Sequence, residues 1–400
     1  MKKLFDVFRR SPESISAGRI APHAIINHYF AECDEALADS KKWNFSLNGT
    51  WDFNIYPNPS AVNLTDDFKE KIEVPGCWDM QGFFAPIYTN VPMPFVEFPP
   101  EIPLEKNPTG VYRKKFTLPE NWSDKRIVLH FDGVENFFAV FLNGEFLGYM
   151  KDSRGASEFE LTKYLKSSEN ELVVVVSQFS DGVFMEDQDQ WWHAGIVRSV
   201  YLQAMPENHI FDVFATAVLD SELKNGELIL EVTTTLKAEG DFCNRFENGM
   251  LAAKPGNIYD NWQLVAEIYD GDELIWDSEF QVGKTFDFEG IFPWRDPQRI
   301  FSKIKANIGE ITPWSSENPK RYNLLIKLKN PTAQVVDSTA LKIGFRRVET
   351  KNRQLLINGK AVLINGMNRH EHHPKKGRTL SREDMVQDIK LMKQYLKKNT

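Results

Sequence analysis

Cysteine is scarce. Cys33, Cys77 and Cys243 are the three cysteines among 400 residues. They are too few and too scattered for a disulfide framework or a metal knuckle, and they fit a reducing cytoplasm. Long apolar runs are missing, and no stretch approaches the length needed to span a membrane. The opening Met1-Lys2-Lys3-Leu4-Phe5 carries the charge of a signal peptide, but Asp6, Arg9 and Arg10 interrupt it before an apolar segment forms. The expectation is a soluble, cytoplasmic protein. There is no Lys/Arg block, and the net charge is -8 with a pI near 5.6, which argues against a nucleic-acid partner. A phosphate-cradling glycine loop, a nucleophile elbow and a Cys-His arrangement are also absent.

Aromatic residues are plentiful, at 12% with 29 Phe and 10 Trp. They fall in alternating patterns, which favours β-sandwich cores, although stacking on sugar rings also uses such residues. The length suggests two or three domains. Val128–Phe131, Phe137–Leu142, Glu145–Met150, Leu172–Val176 and Val197–Gln203 read as strands. Asn143-Gly144 and Asn48-Gly49 read as two-residue hairpin turns. Short strands with frequent turns predict a sandwich or jelly roll.

A second β-rich block is predicted over Glu227–Leu236, Trp262–Tyr269, Glu273–Phe280 and Tyr322–Leu328, with turns at Asn225-Gly226 and Asp270-Gly271. The stretches 238–261 and 283–312 are rich in Gly, Pro and Asn and read as long loops. A boundary falls near Met205-Pro206-Glu207-Asn208. Beyond Gly344, Leu355-Leu356-Ile357 and Ala361-Val362-Leu363-Ile364 flank a hairpin at Asn358-Gly359. Ser381-Arg382-Glu383-Asp384 then reads as a helix start, with Ser381 as N-cap. Met385, Ile389, Met392 and Leu396 form one apolar stripe. A strand, a polar loop and a helix make the first unit of an α/β fold.

Two polar clusters suggest chemistry. Glu186-Asp187-Gln188-Asp189-Gln190-Trp191-Trp192-His193 sets three carboxylates beside aromatics. Oxygen-rich groups suit hard cations, but a solvated acidic turn has the same spacing, and the EF-hand pattern is not matched. His370-Glu371-His372-His373 invites a zinc reading. The zinc-protease pattern fails, because Pro374 stands where its second His belongs. Three histidines at a barrel rim also serve as structural hydrogen-bonders.

Several segments together resemble large bacterial β-galactosidases of glycoside hydrolase family 2. They are Ala85-Pro86-Ile87-Tyr88-Thr89-Asn90-Val91, Asn107-Pro108-Thr109-Gly110, Phe131-Asp132-Gly133-Val134, Asp152-Ser153-Arg154, Ser157-Glu158-Phe159 and Glu186-Asp187-Gln188-Asp189. Gly344-Phe345-Arg346, the run from Asn368 to Pro374, and Met385-Val386-Gln387-Asp388-Ile389 continue the series. The resemblance covers roughly residues 40–395. It implies a mostly β chain: a jelly-roll sugar-binding domain over 1–207, with 1–40 as an extension, an immunoglobulin-like sandwich over 208–345, and the start of a (β/α)8 TIM barrel over 346–400.

The resemblance also implies site residues. His370 would contact the galactosyl ring and stabilise the transition state, Asn90 would line the sugar pocket, and Asp189 would bind both the sugar and a sodium ion. Asp187 is a supporting candidate. The family is retaining, with one carboxyl as acid/base and another as nucleophile. Both glutamates, and most ligands of an active-site magnesium, would come from later barrel strands. The expectation is therefore a β-galactosidase by descent, inactive as the isolated chain, acting as a homo-oligomer or paired with a barrel-bearing chain. A non-catalytic sugar-binding or assembly module is the alternative. A β-glucuronide or β-mannoside is a third possibility, although the motifs look more like the galactosidase branch. An outer magnesium site is not carried over, because Lys151 stands before Asp152 where the family often has Gln.

Overall fold

A computed structural model describes residues 11–96, 98–103, 105–237, 246–247, 250–251, 261–283, 299–364 and 366–396. The chain forms two compact units. One comprises Met1–Ala21, Asn44–Gln203 and Met367–Thr400, and the other Pro22–Trp43 and Ala204–Gly366. Among the described residues no helix is long and apolar enough to cross a membrane.

The first unit is built on β1 (Ser16–Ala17), β2 (Asn44–Ser46), β3 (Gly49–Tyr56), β4 (Glu70–Val74), β5 (Thr109–Phe116), β6 (Arg126–Phe131), β7 (Phe137–Leu142), β8 (Glu145–Met150), β9 (Ser157–Glu160), β10 (Asn170–Ser177) and β11 (Val200–Met205). They form a seven-stranded sheet, β1-β8-β7-β10-β5-β3-β4, and a four-stranded sheet, β2-β11-β6-β9. The chain crosses between the two sheets repeatedly, at β2/β3, β5/β6, β6/β7, β8/β9, β9/β10 and β10/β11, as in a jelly roll. Phe53, Tyr112, Phe131, Phe138 and Phe159 are fully buried. The Phe53 and Tyr112 rings are 4.8 Å apart, and those of Phe131 and Phe138 are 5.0 Å apart. At Gly110 a Cβ would lie 2.7 Å from Phe53 and 2.8 Å from Trp78, so these rings pack directly on the backbone of β5.

The turn at Asn143-Gly144 joins β7 to β8 with φ of 53° and 88°. Its counterpart at Asn48-Gly49 is not a hairpin. Here β2 pairs with β11 in one sheet and β3 with β4 and β5 in the other. Asn48 uses its side chain to accept from Val200 N at 2.9 Å, which fastens the crossing to β11.

The second unit contains β12 (His209–Leu219), β13 (Asn225–Thr235), a short hairpin of β14 (Phe246–Glu247) and β15 (Met250–Leu251), then β16 (Gln263–Asp270), β17 (Glu273–Gln281), β18 (Arg299–Glu310), β19 (Tyr322–Lys329) and β20 (Val335–Ile343). Sheets β12-β13-β18 and β17-β16-β19-β20 make an immunoglobulin-like sandwich. Burial alternates strictly along β13. Buried His28 holds buried Asp337 at 2.8 Å, and Asp337 also accepts from Ile210 N at 2.9 Å.

Two expectations fail in this unit. The loop expected over 283–312 contains β18, a 12-residue strand paired along the whole of β13. Its inward positions Ile300, Ser302 and Ile304 alternate with Phe301, Lys303 and Lys305, but buried Ser302 weakens the apolar signal. Residues 284–298, and most of the loop expected over 238–261, including Cys243, lie outside the described residues. Asn225-Gly226 opens β13 rather than forming a turn. The reversal precedes it, with Leu223 at φ 61° and Asp220 accepting from Lys224 N.

Three short strands follow, β21 (Val348–Lys351), β22 (Gln354–Ile357) and β23 (Lys360–Ala361), in one antiparallel sheet. Asn358-Gly359 is the expected hairpin, with φ of 50° and 73°. The strand expected over Ala361–Ile364 stops at Ala361, and Leu363 and Ile364 are 83% and 77% exposed. Within the first unit, helix Arg382–Leu396 begins as expected: Ser381 Oγ accepts from Asp384 N, and Asp384 accepts from Ser381 N.

Lys151 and Asp181 form a buried pair in the first unit. Both carboxylate oxygens lie 2.9 Å from Nζ, with Oδ2 in hydrogen-bonding alignment, and Nζ donates to Ser11 O at 2.8 Å. Burial raises the Asp181 pKa, and Lys151 opposes that shift. The Lys151 ammonium thus occupies the position beside this carboxylate that a cation would take.

Two measurements follow from these contacts. Gly110→Val overpacks the aromatic core and lowers stability by about 1–3 kcal/mol, read as a lower apparent melting temperature. Lys151→Met leaves Asp181 buried and unpaired and costs about 3–5 kcal/mol.

Candidate functional site

Two segments of the first unit are clasped together. Trp192 N donates to Ile87 O at 2.8 Å, and Trp192 Nε1 donates to Thr89 Oγ1 at 2.5 Å. Tyr88 and Trp191 form an isolated antiparallel bridge, with rings 5.4 Å apart. The Tyr88 hydroxyl donates to Asp189 Oδ1 at 2.6 Å. That hydrogen bond, with a smaller contribution from desolvation, raises the Tyr88 pKa. The clasp fixes the segment that carries Asn90 against the one that carries Asp189. Both residues are exposed, and Tyr88 and Trp191 present aromatic surface beside them.

His370 joins through the next residue of the same loop. Gln190 Nε2 lies 3.0 Å from His370 Nδ1. An amide nitrogen only donates, so Nδ1 accepts and the imidazole proton resides on Nε2. His370 therefore offers an N–H donor to a ligand. An open cleft of about 320 Å³ is lined by Gln188, Gln190 and His370, with Arg154, Arg198 and Arg378 among its other walls. The arginines have acidic partners. Arg378 donates to buried Glu135 at 2.7 Å, Arg154 lies 3.9 Å from the same carboxylate, and Arg198 lies 3.3 Å from Glu371. Burial raises the Glu135 pKa, opposed first by Arg378 and then by Arg154.

The sequence-named residues occupy distinct positions. Asp187 closes the one-turn helix Val183–Glu186 through its N–H to Val183 O at 3.0 Å. Glu186 is a support rather than part of a solvated turn: it accepts from Ser153 N at 2.8 Å and from Asn136 at 3.0 Å. His373 turns back on itself, exchanging backbone hydrogen bonds with Gly377, and does not lie on a helix. Asp189 keeps one carboxylate oxygen open. Tyr88 occupies Oδ1, and among the described residues no second hydrogen bond forms to this exposed carboxylate. Sequence reasoning missed Tyr88 and Gln190 as positioning groups. It also missed the chain Asp79–His193–His372, whose members are far apart in sequence.

Comparison with known proteins supplies the remaining context. The family profile "Glycosyl hydrolases family 2, sugar binding domain" matches residues 45–206, and "Glycosyl hydrolases family 2, TIM barrel domain" matches residues 348–399. A β-galactosidase of Psychromonas ingrahamii is 37% identical over 384 residues, covering 94% of this chain and 34% of that protein. A β-galactosidase of Priestia megaterium is 34% identical over 403 residues, covering 97% and 36%. The chain thus spans about a third of the length of the curated relatives it matches. Bacteroides uniformis β-glucuronidase shares the fold with a TM-score of 0.63 at 20% identity, over 88% of this chain and 38% of that one. Two matched domains of one family, in order along the chain, and relatives aligned over nearly all of it lead to one assignment: the chain belongs to glycosyl hydrolase family 2.

Proposed function

We propose that this chain is the amino-terminal part of a retaining β-galactosidase and builds one wall of its galactosyl pocket. The domain plan is a sugar-binding jelly roll over 1–207, an immunoglobulin-like domain over 208–345 and the start of the barrel from 346. The observation that carries the reading is the pair of contacts Tyr88–Asp189 and Gln190–His370, which hold two pocket residues on one loop system.

Each residue has a role in this reading. Asn90 hydrogen-bonds sugar hydroxyls, and Asp189 accepts from them. His370 donates its Nε2–H to the ring as charge develops. The Tyr88 and Trp191 rings cover an apolar sugar face. A sodium ion bound at Asp189 would supply a fixed positive charge for sugar oxygens, and Asp187 would support that loop. The acid/base and nucleophilic carboxyl groups belong to later barrel strands, as do most ligands of a catalytic magnesium. These 400 residues therefore bind and orient the sugar but do not cleave the glycosidic bond unaided. The active species is a homo-oligomer or an assembly that includes the rest of the barrel.

Hydrolysis of an aryl β-galactoside tests this division of labour. The 400-residue chain alone should show no turnover, and adding a polypeptide that bears the remaining barrel should restore it. In the restored enzyme, His370→Ala should lower kcat by about 10²–10³. Robust turnover by the pure chain, abolished by His370→Ala, would overturn the proposal. Galactose binding by calorimetry, lost in Asp189→Ala but without restored turnover, would instead indicate a binding or assembly module. A preference for the aryl β-glucuronide would change the assigned sugar.

Two positioning residues separate binding from catalysis. Tyr88→Phe releases Asp189 and should raise KM about tenfold, from about 1.5 kcal/mol for a hydrogen bond to a charged acceptor. Gln190→Leu frees the His370 tautomer and should lower kcat more than it raises KM.

A further inference from the structure

A buried cluster in the first unit takes no part in the proposed galactoside pocket. Cys77, Asp79 and His193 are 1%, 6% and 5% exposed. One ligand atom from each lies within 4.8 Å of the others. His372 adjoins the group through His193: its Nε2 is 3.0 Å from His193 Nε2, and the rings stack at 26°. His193 Nδ1 is 2.7 Å from Asp79 Oδ2. An ionised carboxylate only accepts, so His193 carries its proton on Nδ1 and turns a lone pair outward from Nε2. Across the 3.0 Å contact that lone pair accepts from His372 Nε2–H, so an ion seated between the two nitrogens would take the place of this proton, which moves to His372 Nδ1.

We infer that Cys77 Sγ, His193 Nε2 and His372 Nε2 bind one divalent transition-metal ion of the zinc class, with Asp79 as the outer carboxylate that orients His193. One sulfur and two imidazole nitrogens are the donors that zinc selects. Two nitrogens on a tetrahedral ion at about 2.0–2.1 Å stand roughly 3.3 Å apart, close to the observed separation. A ligating histidine that donates its other N–H to a carboxylate is the usual supporting arrangement at such centres.

Space and charge agree with this assignment. At Gly377 an added Cβ would lie 3.0 Å from Cys77 Sγ and 3.1 Å from His193 Nε2, and φ there is +62°. Glycine therefore keeps the volume between thiol and imidazole open. Asp79 Oδ1 is buried without a hydrogen-bond partner, a charge that a nearby dication would offset. Burial pushes the Cys77 thiol up to about 12. Binding therefore exchanges the thiol proton for a metal–sulfur bond and releases that proton to solvent. His372 is half-buried, so the fourth position is open to water. The ion would tie the His370-bearing loop to the jelly roll two residues from His370.

The test uses the reduced 400-residue chain, stripped with a chelator and shown to be folded by near-ultraviolet circular dichroism. Cobalt(II) is titrated first, and zinc is then added to displace it. The expected result is one cobalt per chain with a thiolate-to-cobalt charge-transfer band, lost stoichiometrically to zinc. Cys77→Ser abolishes the band, and Asp79→Asn weakens zinc binding about 10–100-fold. Zinc raises the melting temperature of the parent chain but not of His193→Ala. If the variants fail to fold, the parent titration still decides. A folded parent chain with no band, or with a band that survives Cys77→Ser, overturns the assignment. The readout is spectroscopic and needs no hydrolysis, so it stands or falls apart from the galactosidase reading.

Discussion

The clasp between segments 87–89 and 188–192 is the constraint on which the site depends. Neither segment belongs to a sheet ladder, yet their backbone groups still need partners. They find them in each other, through Trp192 N to Ile87 O and the Tyr88–Trp191 bridge. Trp192 then anchors the pair from within, since its ring lies 5.9 Å from that of buried Phe179. The strands β5 and β10 behind them are fixed by eight paired positions. A rigid sheet therefore carries two loops whose tips stay exposed, which leaves Asn90 and Asp189 open to a ligand on a firm base.

Turn chemistry was legible only where the two flanking strands share a sheet. Asn143-Gly144, Asp270-Gly271 and Asn358-Gly359 all join strands that pair with each other. Asn48-Gly49 has the same letters and similar flanks, but Asn48 spends its side chain on Ser199 and Val200 across the crossing. The dipeptide reports that positive φ is available, and the burial of each flanking strand decides which sheet it joins. β18 shows the converse failure. Its alternation is present, but one inward position is Ser302, whose buried hydroxyl accepts from Gly283 N. A polar residue satisfied by backbone looks like loop sequence until its partner is known.

Site legibility followed sequence distance. Asp187, Asp189 and His370 stood out because each sits in a dense polar run. Tyr88 and Gln190 did not, since an aromatic in a proline-flanked loop and an amide beside carboxylates are unremarkable until their partners are placed. Asp79, His193 and His372 are separated by 114 and 179 positions, and no local spacing rule joins them. Cys77 read as one of three scattered thiols, and only the fold gives it neighbours. The same holds for Lys151: sequence flagged the cation as incompatible with a metal, whereas the structure shows the carboxylate that it neutralises.

The barrel segment marks the limit of local information. A parallel strand is bonded on both edges and buried on both faces, so its sequence is a continuous apolar run. Ala361-Val362-Leu363-Ile364 has that composition and was read as a strand for that reason. Among the described residues it is bonded only through Ala361 and through Val362 N to Leu355 O, on one edge, and Leu363 and Ile364 are exposed. The helix Arg382–Leu396 forms nonetheless, because its capping box and its i→i−4 hydrogen bonds are internal to it. Hairpins, sandwiches and capped helices take their partners from nearby sequence, whereas a barrel strand takes them from the rest of the barrel. Composition can therefore nominate such a strand, but only its neighbours can make it one.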